Sequence, residues 1–143
     1  MKVHPLFAAA AVAITAAFIV TPALAHDDAT LDAMKAPNGG QLRMAGPYHF
    51  ELVLAKDARG AKAVPVKVYL TDHGGNKVAV AGATGSAVLL APAGKVTVPL
   101  AVVGDHLEGS GAYAADPATK ALVSVKFADG KSEQARFEPF KAK

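Results

Sequence analysis

Histidine is the residue type in this chain that is best suited to chemistry, and five histidines are present among 143 residues. The chain contains no cysteine, which excludes thiolate metal sites, disulfides and a cysteine nucleophile. Neutral imidazole binds copper and zinc, and carboxylates often complete such sites. A histidine with a carboxylate or another donor close by in the sequence is therefore a candidate metal ligand.

His49 and Glu51 form the first candidate pair. They lie two residues apart in the alternating segment 47–54, so both side chains point to one face of a predicted strand, with Cβ atoms about 7 Å apart. An imidazole and a carboxylate in this arrangement can reach the same metal ion. The alternative is an ordinary solvated strand face, because the apolar side chains of the segment occupy the opposite face.

Two Asp-His pairs, Asp72-His73 and Asp105-His106, lie at predicted turns. The acid of each pair can bind a metal directly or orient the neighbouring imidazole. Asp and His are also common turn residues, with Asp capping the backbone. For either pair taken alone, the turn interpretation is the one that we favour.

The first 25 residues have the layout of a secretory signal peptide. Lys2 is followed by the uncharged apolar segment 6–20, and Ala23 and Ala25 occupy the small-residue positions of an A-x-A cleavage site. An uncleaved membrane anchor is the alternative, but the apolar run is short for a transmembrane helix. Residues 1–25 are therefore predicted to be a helical signal peptide, and the mature protein is expected in the periplasm without a membrane attachment.

Cleavage after Ala25 would make His26 the first mature residue. Its amine and imidazole together suit Cu(II), provided that the folded domain supplies another ligand; alternatively, His26 is an incidental leader residue. Met34 and Met44 carry thioethers that suit Cu(I), although a single methionine near a strand is usually core filler. The predicted metal ligands are His26, His49, Glu51, His73 and His106, and the predicted cofactor is a copper or zinc ion.

The elements that must position these residues are short strands. The polar, alanine-rich segment 26–37 is predicted to be a flexible leader. Segments such as 64–70 then alternate with period two, and glycine-containing turns follow at 72–76 and around Asp129-Gly130. About seven to nine short strands without a long helical period predict one all-β domain over residues 38–143, which favours a two-sheet sandwich or a small barrel. Of these we expect an antiparallel immunoglobulin-like β-sandwich.

Charge and motifs exclude several classes of function. Loss of Lys2 with the signal peptide leaves 14 basic against 12 acidic residues, and no basic cluster suggests nucleic-acid binding. The chain has no G-x-S-x-G motif, no P-loop and no dinucleotide fingerprint. We therefore expect neither an enzyme nor a nucleic-acid partner.

Segments 37–40, 46–53 and 68–75 resemble a small family of bacterial periplasmic β-domains that occur alone or attached to heavy-metal efflux adaptor proteins. The matching features are a P-x-G-G segment, a G-x-Y-H-x-E-L strand and a strand that ends in D-x-x-G. The resemblance implies a periplasmic role near copper or zinc, and it carries over His49 and Glu51 as candidate metal contacts.

This chain departs from the family pattern at Asn38, where a histidine is expected before Gly-Gly. An amide is a poor ligand for a transition metal, so a site that relied on that histidine would be weakened. A looser similarity connects the chain to small periplasmic copper carriers, which are β-sandwiches whose mature chain begins with a metal-binding histidine, as His26 would.

Together these observations predict a periplasmic metal-binding accessory or carrier protein, linked to copper or heavy-metal efflux or homeostasis. Its expected partners are a metal ion and an efflux-system or other envelope protein. The alternative is a structural or interaction module that docks a sheet edge onto another envelope protein and binds no metal.

Overall fold

The computed structural model describes residues 27–142, which form one short helix and eight strands. The predicted signal peptide and His26 lie outside these residues. Within residues 27–142, no helix is both long and apolar enough to cross a membrane. In chain order the elements are α1 (Asp28–Ala33), β1 (Gln41–Ala45), β2 (Tyr48–Leu54), β3 (Val64–Asp72), β4 (Thr84–Ala91), β5 (Gly94–Val103), β6 (His106–Gly111), β7 (Lys120–Lys126) and β8 (Ser132–Phe137).

The eight strands form one antiparallel sheet in the order β1-β2-β3-β6-β5-β4-β7-β8. The two outermost strands, β1 and β8, approach each other, and the Glu138 backbone N–H just after β8 donates to Gln41 Oε1 in β1 at 2.9 Å. The sheet is therefore curled into a nearly closed barrel. The predicted all-β antiparallel class is confirmed. The two-sheet immunoglobulin-like sandwich is not, because β5 pairs with β4 on one side and with β6 on the other.

Alternating apolar residues fill the barrel. Val66, Val68 and Leu70 of β3 point inward and are buried, as the period-two pattern predicted. On β2, Phe50 and Leu52 lie opposite Leu70 and Val68 in the register and are also buried. Each such side chain contributes about 1.5–3 kcal/mol to folding by leaving water, so the interior holds the barrel together without disulfides.

The hairpin between β7 and β8 turns at Asp129-Gly130, as predicted. Gly130 has a φ of 86°, a conformation that glycine adopts without steric cost. The Asp129 carboxylate accepts a hydrogen bond from the Lys131 backbone N–H at 3.0 Å. These contacts align Lys126 with Ser132 as the first pair of the hairpin.

Helix α1 lies within the segment that was predicted to be a flexible leader. The Asp27 side chain caps it by accepting a hydrogen bond from the Thr30 backbone N–H at 2.7 Å. Leu31 is buried, and Arg43 of β1 pairs with Asp32 at 2.8 Å and with Asp28 at 3.4 Å. Residues 28–33 are therefore fastened to β1 rather than extended away from the barrel.

Candidate metal site on the outer face of the barrel

Four of the five predicted site residues lie on one side of the sheet. In the β2–β3 register, His49 is opposite Thr71 and Glu51 is opposite Tyr69, and directly opposite residues share a face. Because Phe50 and Leu52 point into the barrel, this is the outer face. Ring contacts join His73 to His49 and His106 to Tyr69. We call this group the histidine face: His49, Glu51, Tyr69, His73, His106 and Glu108.

His49 and Glu51 are buried although they point away from the core. Only 4 % of His49 and 3 % of Glu51 remain exposed. The alternative interpretation of this side as an ordinary solvated strand face is therefore wrong. The 37–40 loop, which donates hydrogen bonds to Glu51, and His73 of the turn after β3, which stacks on His49, lie against this part of β2.

The Glu51 carboxylate holds the 37–40 loop against β2. Its Oε1 accepts hydrogen bonds from the backbone N–H groups of Asn38 at 2.8 Å and Gly40 at 2.9 Å, and its Oε2 accepts one from the Asn38 side-chain amide at 2.9 Å. Three donors compensate the charge of this buried group. Both oxygens are therefore engaged by the loop, which makes Glu51 an anchor in this structure.

The backbone conformation and close packing of the 37–40 loop account for its two glycines. Gly39 has a φ of 77°, in the left-handed region that favours glycine. A Cβ on Gly40 would overlap the backbone carbonyl of Leu52. Asn38 departs from the histidine expected by resemblance, and here its amide serves as a hydrogen-bond donor to Glu51.

His49 and His73 form a stacked pair. Their ring centroids are 5.0 Å apart and their planes are inclined by 23°. His49 is buried on β2, whereas His73 is exposed in the turn that follows β3. These two imidazoles, from separate parts of the sequence, are the predicted ligands that folding brings together.

Asp72 shapes the turn that carries His73. Its Oδ1 accepts hydrogen bonds from the backbone N–H groups of Gly74 at 2.8 Å and Asn76 at 2.9 Å, and the Asn76 side-chain amide donates to Oδ2 at 3.0 Å. The hydrogen bonds from Asn76 lower the pKa of Asp72. The turn interpretation of this Asp-His pair therefore describes Asp72, and the turn places His73 against His49.

His106 belongs to a separate polar network. Its ring stacks on Tyr69 with centroids 4.6 Å apart. Its Nδ1 lies 3.3 Å from Asp105 Oδ1, and its Nε2 lies 3.0 Å from Glu108 Oε2. The hydrogen bond from His106 lowers the pKa of Glu108, and the hydrogen bond from Lys77 lowers that of Asp105. Both ring nitrogens of His106 thus face carboxylates.

Within residues 27–142, no three histidine or acidic side chains are grouped closely enough to hold a metal ion by themselves. His49 and His73 come together, Glu51 anchors the loop, and His106 pairs with acids. Sequence reasoning missed Asn38 as the partner of Glu51 and Tyr69 as the partner of His106. Only the alternation of β3, which places Tyr69 on the non-core face, pointed to the second of these.

Two cavities flank these features. One of about 170 Å³ lies above the histidine face and is lined by Asn38, Glu51, Tyr69, Lys77 and Asp105 among others. A larger one of about 810 Å³ lies elsewhere, at an end of the barrel between α1 and the C-terminal segment. None of the candidate histidines that the structure describes, His49, His73 and His106, lines the larger cavity.

Comparisons with known proteins find no protein family, no curated protein and no solved structure that matches this chain.

Proposed function

We propose that the protein is a periplasmic metal-binding accessory or carrier protein that takes up copper or zinc at His49 and His73, in copper or heavy-metal efflux or homeostasis. The observation that carries this proposal is the stacked imidazole pair, with ring centroids 5.0 Å apart. Zinc binds imidazole nitrogen at about 2.0 Å, and the nitrogen lone pair lies in the plane of the ring. The exposed His73 ring must therefore turn out of its stacked orientation to place both nitrogens on one ion.

The composition of the pair suits a carrier better than a structural site. Structural zinc is held by a closed set of four protein ligands, and the stacked pair supplies two. The remaining coordination positions are open to water or to a ligand from the next protein. An ion held in this way can be passed on by ligand exchange, with exposed His73 facing the recipient and buried His49 retaining the ion.

The other predicted residues have different places in the proposal. Glu51 positions β2 and the 37–40 loop, and His106 maintains its network with Asp105 and Glu108. His26 is a proposed additional ligand, through its imidazole and the mature amine that cleavage after Ala25 would create. The periplasmic location rests on the signal-peptide pattern of residues 1–25.

Metal titration of the mature chain tests this function. Zn(II) or Cu(II) is added to protein that begins at His26, and the imidazole resonances are followed by NMR. We expect saturable one-to-one changes at His49 and His73, and we expect His73→Ala to abolish the changes at His49. His106→Ala is the matched control, because it also removes a stacked imidazole. Absence of any response below millimolar metal would overturn the proposal.

A docking module is the second candidate, and the seam of the barrel favours it. Among the strands that the structure describes, β1 and β8 are the two ends of the hydrogen-bonded order, so each has one edge without a described strand beside it. A strand from another envelope protein can add to such an edge. The metal titration distinguishes the two candidates, because a docking module that binds no metal predicts no change in the imidazole resonances.

A further inference from the structure

We infer that Met44 is the third ligand of the His49–His73 site and that the site therefore prefers Cu(I) to Zn(II). The inference rests on the proposed function and specifies its ion. The additional donor is the thioether of Met44 on β1, the strand next to that of His49.

The register of the sheet places Met44 beside His49. These two residues are direct partners in the antiparallel β1–β2 pairing, so they share the outer face, with Cβ atoms about 4.5–5.5 Å apart. A methionine side chain is long and flexible enough to bring its sulfur over a neighbour at that distance. His49 thus has Met44 on its β1 side and is stacked by His73, which follows β3.

The position of Met44 also argues against a role as core filler. Its neighbours in β1, Arg43 and Ala45, pair with Phe50 and Tyr48 and so occupy the opposite face of the strand. Met44 itself is half-buried on the outer face. A methionine that fills the core would instead point into the barrel with Phe50.

The donor atoms determine which ion the site prefers. Two imidazole nitrogens and one thioether sulfur form a soft donor set, and thioethers select Cu(I) among the biological metals. Zn(II) gains little from a thioether, so its affinity depends on the other ligands. Met44 should therefore strengthen Cu(I) binding while leaving Zn(II) binding almost unchanged.

The test compares Met44→Leu with the unmodified mature protein. Leucine nearly conserves the volume of methionine and removes the sulfur. We expect the dissociation constant for Cu(I), measured anaerobically by competition with a chromophoric chelator, to rise at least tenfold, with that for Zn(II) unchanged. X-ray absorption should show a copper–sulfur distance that disappears in the variant. Met34→Leu, which removes the exposed methionine after α1, is the matched control and should leave both affinities unchanged.

The possible outcomes distinguish the inference from the proposed function. If Cu(I) binds but Met44→Leu retains both the affinity and the sulfur signal, the thioether assignment is overturned and the histidine carrier stands. If the unmodified protein binds neither Cu(I) nor Zn(II), the proposed function is overturned, and the assignment of Met44 with it. Equal losses for Cu(I) and Zn(II) in Met44→Leu would contradict the preference for Cu(I).

Discussion

Glu51 accepts two hydrogen bonds from Asn38, one from its backbone N–H and one from its side-chain amide. The two residues are 13 positions apart and belong to two motifs that the sequence presents separately. Their contact makes one unit of the 37–40 loop and β2, the strand that carries His49.

Replacement of the Glu51 carboxylate tests its role as an anchor. Glu51→Gln substitutes an amide for one of the two accepting oxygens and leaves a buried loop donor without its acceptor. Because an unsatisfied buried group costs about 1–3 kcal/mol, we expect the free energy of unfolding to fall by about that amount in urea denaturation. Glu108→Gln, on the same face but more exposed, is the control and should cost less. Equal losses in the two variants would contradict the anchor.

The two loop glycines should respond differently to alanine. A Cβ at Gly40 overlaps the Leu52 carbonyl, whereas a Cβ at Gly39 meets nothing within 4 Å and is opposed only by its φ of 77°. We expect Gly39→Ala to cost about 1–2 kcal/mol and Gly40→Ala to cost more, as measured by chemical denaturation. The His49 imidazole resonance reports whether the loop still covers β2. If Gly39→Ala were more destabilising than Gly40→Ala, the close approach of the Leu52 carbonyl would not be the reason for glycine at position 40.

The contact between His106 and Glu108 predicts an acid-sensitive contribution to stability. Its hydrogen bond lowers the pKa of Glu108 from the ordinary value of 4.5. A carboxylate with a lowered folded-state pKa contributes stability that is fully present above about pH 4.5 and is lost as the pH falls through the lowered value. A carboxyl ¹³C titration of His106→Ala should show the pKa of Glu108 moving back up. Glu138, whose pKa is lowered chiefly by Lys141, is the internal control and should not move.

Metal affinity should depend on pH through the proposed ligands. Imidazole must be neutral to bind a metal ion, so protons compete with copper or zinc below about pH 6. We expect the affinity for Zn(II), measured by calorimetry, to fall at least tenfold between pH 7.5 and pH 5.5. The pH dependence should be reduced in His73→Ala, which lacks one of the two competing imidazoles. An affinity that is independent of pH would exclude histidine ligands.

The sequence predicted local features of the fold well. The alternation of β2 and β3, with Phe50 and Val68 facing inward, and the hairpin at Asp129-Gly130 depend on neighbouring residues alone, so they could be read directly. Closure of the sheet could not be predicted, because a barrel and a sandwich show the same alternation along each strand. They differ in which distant strands meet, such as β3 with β6.

The sequence predicted which types of residue form the candidate site, but not which of these residues contact one another. Glu51 was expected beside His49 as a ligand, since their spacing along β2 is all that the sequence shows. Its engagement by Asn38 depends on the path of the 37–40 loop, which is a tertiary feature. The stacking of His73 on His49 depends likewise on the pairing of β2 with β3 and on the turn that Asp72 forms.

The end position of β1 in the sheet has a consequence for the dynamics of the barrel. Within residues 27–142, β2 is the ladder partner of this strand on one side, and no strand pairs with its other side. Strands held in this way open more readily than central ones. Amide hydrogen exchange should therefore be faster at Arg43 and Ala45 than at Val66 and Val68 of β3. An ion bound by both Met44 and His49 would link β1 to β2 and slow that exchange. Metal binding would therefore stabilise the edge strand.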